Sequence, residues 1–122
     1  MPEQKSQLLR TAQRQARTIV ELSGCKLNQA QMTLAIDVYG YKSWAKLKHS
    51  IESGLLTEEM VCLLSHEHAN PALLIETIKS LWPSWQSGFA KVSYLKNVSS
   101  LTLIASILKI DQVDLEKIID ID

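Results

Sequence analysis

The chain has 122 residues, with 46% hydrophobic and 21% charged side chains. That is long enough for one hydrophobic core and too apolar for a disordered chain. Thirteen Lys/Arg balance thirteen Asp/Glu, and no apolar run approaches the roughly 20 residues that cross a bilayer, so neither a uniformly basic chain nor a membrane span is expected.

Apolar spacing is helical almost throughout. A first helix is predicted over 6–23, with Leu8, Leu9, Ala12, Ala16, Ile19 and Val20 on one face. Arg10, Arg14 and Arg17, three and four residues apart, share another face. Gly24 stops this helix. A second runs from the cap Asn28 to Val38, with Met32, Leu34, Ala35 and Val38 inward. Tyr39-Gly40-Tyr41 reads as a tight turn. Ser43 caps a third helix over 44–53, which Gly54 ends. Thr57, followed by Glu58 and Glu59, opens a fourth that closes near 66–70. Asn70 caps and Pro71 begins a fifth, carrying Leu73, Leu74, Ile78 and Leu81, and Pro83 is predicted to break it. Residues 86–97 read as a short helix or an extended segment. Ser100 caps a sixth helix over 101–108, and Asp111 a last one with Val113, Leu115, Ile118 and Ile119 inward. No alternating run has hairpin chemistry at its ends. The expectation is a compact all-α bundle of six or seven short helices, one domain spanning 1–122.

The zero net charge is a cancellation. Residues 1–50 hold eight Lys/Arg against three acids, and residues 51–122 hold five Lys against ten acids. A basic half beside an acidic half points to a face for a polyanion, for another protein, or for a second copy of the chain. The N-terminal stretch is polar and basic with no apolar centre, so no secretory signal is expected. Cys25 and Cys62 lie far apart without a Cys-x-x-Cys pairing, which fits a reducing cytoplasm and two semi-buried thiols.

Catalytic signatures are missing. The four glycines are scattered singly, so no phosphate-cradling loop forms, and there is no nucleophile elbow. His66-Glu67-His68 has metal-ligating residue types, but neighbouring side chains on a helix diverge, and a solvated loop or helix end is the better expectation. No enzyme activity, cofactor or metal is expected.

The strongest constellation is a helix–turn–helix candidate over 28–53. If it binds double-stranded DNA, Lys42, Ser43, Lys46, Lys48 and His49 are placed to meet base edges, while Arg10, Arg14 and Arg17 rest on phosphates. The competing view is a plain helical hairpin with a solvated basic face. A second constellation is aromatic. Trp82, Trp85, Phe89 and Tyr94 fall within thirteen residues around Pro83. They serve either as an exposed anchor for a protein partner or as a plug in the core, the second being favoured. The acidic last helix reads as a solvated face, or as the complement of the basic face of a second copy in a homodimer.

Two resemblances bear on residues 28–53. The stretch QMTLAIDVYGYKSWAKLKHSI is similar to a short helical motif of mobile-element and glyoxalase-related proteins, with Gly40, Tyr41, Ser43, Trp44 and Leu47 matching and Ile36 where the motif has Ala. This implies a packing unit rather than an activity, since no glyoxalase metal site accompanies it. Ile51-Glu52-Ser53-Gly54 and the later SSLTLIASILKIDQVDLEKII resemble the closing segments of lambda-repressor-type helix–turn–helix regulators. Here the turn is longer than theirs and a long stretch separates the two pieces. With the basic helix–turn–helix-like face, the expectation is a small non-enzymatic DNA-binding or regulatory protein of a mobile genetic element. A protein-interaction module is the alternative.

Overall fold

The computed structural model describes the backbone of residues 2–65 and 71–120, and side chains in those ranges from residue 7 onward. Among the described residues there are seven α-helices and no strand. They are α1 (Pro2–Ser23), α2 (Leu27–Thr33), α3 (Trp44–Ser53), α4 (Glu58–Leu64), α5 (Pro71–Ala90), α6 (Ser100–Leu108) and α7 (Gln112–Asp120). A π-turn, Leu34–Val38, continues α2, and a 3₁₀ turn, Ser93–Leu95, lies between α5 and α6. The all-α expectation holds. No described helix is long and apolar enough to cross a membrane.

Two long helices organise the packing. α1 packs on α2, α3, α4 and α6, and α5 packs on α4, α6, α7, the π-turn and the 3₁₀ turn. The buried side of α1 is Thr11, Ala12, Gln15, Ala16 and Ile19, a stripe repeating at three and four residues. Its two alanines let neighbouring helices come close. The core then runs on through Leu34, Leu47, Ile51, Leu64, Ile78, Trp85, Ile104 and Leu115 as one cluster.

Local chemistry sets most boundaries. Gly24 and Gly54 take positive φ at the ends of α1 and α3. Ser43, Thr57 and Ser99 each accept a backbone N–H three residues on, from Lys46, Met60 and Thr102. Asp111 Oδ1 accepts Val113 N–H at 2.8 Å and opens α7.

Several expectations need correction. α2 starts at Leu27, and the side chain of Gln29 reaches back to the Lys26 N–H at 2.9 Å, so Asn28 is not its cap. The cap of α6 is Ser99, not Ser100. Met32 is 53% exposed rather than inward. The predicted end of α4 at 66–70, the Asn70 cap and the His66-Glu67-His68 run lie outside the described residues.

The largest correction is at Pro83, which α5 runs straight through. Proline costs a helix interior about 3 kcal/mol. The inward stripe of α5 continues past it, however, through Ile78, Trp85 and Phe89. Burying two large aromatic side chains is worth roughly 2–3 kcal/mol each, which outweighs the proline. Pro83 itself is exposed, and so is Lys79, whose carbonyl loses its helical partner to solvent.

Candidate functional site

The candidate face is built on residues 27–53. α2 and its π-turn lead through a five-residue connection, 39–43, into α3. Gly40 has φ +75° in that connection, as its Tyr-Gly-Tyr setting predicts. α3 turns Leu47 and Ile51 into the core and packs on α1 and on the π-turn. Lys42, Lys46, Lys48 and His49 are all exposed. Ser43 is half-buried, its hydroxyl oxygen spent on the Lys46 N–H. The one acid on α3, Glu52, sits in its last turn. Positive charge therefore gathers at the N-terminal turns of α3 and its entry.

The arginine row does not stay together. Arg10 and Arg17, seven residues apart, lie on the exposed stripe of α1 with Gln13. Arg14 turns inward, and its Nη2 donates to the Ile107 carbonyl at 2.8 Å, at the end of α6. Burial lowers its pKa, opposed by the nearby Tyr39 oxygen. Its Nε is buried without a hydrogen-bond partner. Arg14 is thus a strut between α1 and α6, and of the row only Arg10 and Arg17 stay exposed.

The aromatic group also divides. Trp85 is fully buried and Phe89 nearly so. These two are core side chains with no surface to offer a partner. Trp82 and Tyr94 are half-buried. Trp82 meets Trp85 edge to face with ring centroids 6.4 Å apart.

Behind the candidate face lies a polar frame that the apolar pattern did not reveal. Gln15, fully buried on α1, donates from Nε2 to the Leu63 carbonyl at 3.1 Å. Its Oε1 accepts the Tyr39 hydroxyl at 2.6 Å. Burial pushes the Tyr39 phenol far above its ordinary pKa, so it stays neutral and donates. One glutamine thereby ties together α1, α4 and the connection into α3. In the π-turn, Tyr39 N–H bonds the Leu34 carbonyl at 3.1 Å, and Trp85 Nε1 donates to the Val38 carbonyl at 2.9 Å. The Tyr94 hydroxyl donates to the Gln29 carbonyl at 2.9 Å and also hydrogen-bonds Thr33. α2 is clamped to the segment after α5 in this way. A polar residue on the core stripe of a predicted helix, as at Gln15, is the one sequence signal that pointed here.

Two measurable consequences follow from the contact of α5 with the π-turn. A Cβ added at Gly88 would lie 2.8 Å from Asp37 Oδ1 and 3.3 Å from its Cγ. Gly88→Ala should therefore forfeit the roughly 1 kcal/mol that alanine offers a helix interior. In an Asp37→Ala background that gain should reappear, a coupling that urea unfolding of the four proteins would measure. The second consequence concerns pH. Burial raises the Asp37 carboxyl pKa, with Lys91 pulling it back. A raised folded-state pKa means stability that is full below the ordinary carboxylate range and is lost as pH rises through the folded value. Asp37→Asn should then melt at a higher temperature than the natural chain at pH 7. The difference should vanish below about pH 4, the ordinary aspartate range. An equal offset at both pH values would assign the effect to packing.

Cys25 and Cys62 are buried thiols with no disulfide between them. No group of three metal-ligating side chains gathers among the described residues. No protein-family model, no curated protein and no solved structure matches this chain, so the reading of its function rests on its own residues.

Proposed function

We propose that the chain is a small non-enzymatic DNA-binding or regulatory protein that meets double-stranded DNA through α3 and the turn before it. The observation behind this reading is the exposure of Lys42, Lys46, Lys48 and His49 together, with no acid in the first turn of α3. The N-terminal part of a recognition helix is the part that reaches base edges. Ser43, as the cap, holds that end of α3 in shape. Arg10 and Arg17, on the exposed stripe of the helix that α3 packs against, supply phosphate contacts. The resemblance of residues 31–51 to a helical motif of mobile-element proteins falls on the same hairpin, as a packing unit that would present the basic face. The buried positions of Trp85 and Phe89 weigh against the alternative, an aromatic docking surface for a protein partner.

The test is a titration of labelled mixed-sequence duplex DNA, read by fluorescence anisotropy. The five exposed cations of this face, Arg10, Arg17, Lys42, Lys46 and Lys48, if each displaces a counterion, predict a salt slope of about −4 to −5, or on the order of a hundredfold weaker binding between ~50 and ~150 mM salt. No binding at the lower salt overturns the reading and moves the search to self-association and a protein partner.

A further inference from the structure

On the side of the molecule formed by α4 and α5 there is a cavity of about 370 Å³. Its walls include Met60, Leu73 and Leu81, all half-buried. Two carboxylates, Glu59 of α4 and Glu76 of α5, line it as exposed side chains, and no basic residue does so among the described residues. Thr77 also lines it. That residue is 4% exposed, and its hydroxyl is buried without a hydrogen-bond partner. A buried unpaired hydroxyl is uncommon in a folded protein, because it has lost water and gained nothing.

From this cavity we infer a binding site for a small organic cation, a primary amine on an apolar body. An ammonium group has three N–H donors and no acceptor. The cavity presents the carboxylates of Glu59 and Glu76 as acceptors, while the Thr77 hydroxyl lies behind its wall with almost no accessible surface. Apolar walls around a few polar groups are the usual composition of a ligand pocket, and the volume lies at the small end of the range for such sites, roughly 300–1,000 Å³. An anion is refused by the two carboxylates. A neutral alcohol gains the walls but forgoes the charge. This inference uses no part of the DNA-binding face, and either can fail alone.

The probes are 2-phenylethylamine, 2-phenylethanol and 3-phenylpropanoate, each titrated into the ¹⁵N-labelled full chain and followed by NMR. The amine should shift α4 and α5 resonances saturably and bind at least about tenfold tighter than the alcohol, with no binding of the acid. Glu59→Gln together with Glu76→Gln, both at exposed positions, should weaken the amine about tenfold with the helical content unchanged. Should that variant fail to fold, Glu76→Gln at an exposed position decides instead, with an expected loss of about threefold. Equal affinity for amine and alcohol, no saturable shift at about 10 mM amine, a value that lies beyond any useful pocket affinity, or unchanged affinity in Glu76→Gln would overturn the proposal.

Discussion

Trp85→Ala should cost about 4–6 kcal/mol of stability, the sum of a large buried truncation and an orphaned carbonyl. The side chain has no exposed surface, and its indole N–H is the partner of the Val38 carbonyl in the π-turn. Domains of this size hold only about 5–15 kcal/mol in total, so the variant should be largely unfolded near physiological temperature. Trp85→Phe separates the two contributions. It keeps most of the ring volume and loses the donor, and should cost about 1–3 kcal/mol. Urea unfolding followed by circular dichroism would give both values. A loss below about 2 kcal/mol for the alanine variant would mean that neighbouring side chains close the gap, and that α5 does not depend on this ring.

Reversing charge at Lys42, Lys46 and Lys48 together should reduce duplex affinity by about a hundredfold or more at low salt while leaving the melting temperature nearly unchanged. All three side chains are exposed. Neutralising Arg10 and Arg17 should lower the salt slope by about two and weaken all sequences alike. Arg14→Gln should do the opposite. It removes the bond to the Ile107 carbonyl, so it should lower stability and leave the salt slope where it was. If Arg14→Gln instead changed the slope as much as Arg10→Gln, the strut reading of Arg14 would be lost. Anisotropy titrations paired with thermal melts on each variant distinguish these patterns.

The elements whose signals are local were legible in the sequence. Gly24, Gly54, Ser43, Thr57 and Asp111 mark helix ends by their own backbone or side-chain chemistry, and each acts within three residues of itself. The sequence ends α5 at Pro83, a strong local signal, and burial of Trp85 and Phe89, which only tertiary packing supplies, overrides it. The π-turn was read as plain helix because its sequence, LAIDV, fits either winding. The partner that meets its wide turn, the Trp85 indole on the Val38 carbonyl, stands nearly fifty residues away in the chain. The exposed basic residues of α3 were legible for the same local reason as its cap. Arg14 was not, since an arginine at the edge of a helix stripe turns inward only if a carbonyl waits there, and the end of α6 is invisible from α1. Gln15 shares the stripe of Ala12, Ala16 and Ile19, which marks it in the sequence as a buried polar residue, but its partners Leu63 and Tyr39 cannot be read from α1.

The π-turn has a consequence for how the α3 face is aimed. A π-turn holds one residue more than the α-turn it replaces, so Leu34–Val38 is equivalent to a helix with a single inserted amino acid. Each residue of an α-helix advances the chain by about 100° of rotation, and a π-turn winds less per residue, so its five residues sweep roughly the angle that four α-helical residues would. Deleting one residue from this segment and letting it rewind as α-helix would therefore leave the connection and α3 facing nearly where they do. What would be lost is the bulge itself, and with it the Val38 carbonyl that the Trp85 indole binds. One codon can thus be gained or lost at this point without swinging the basic face.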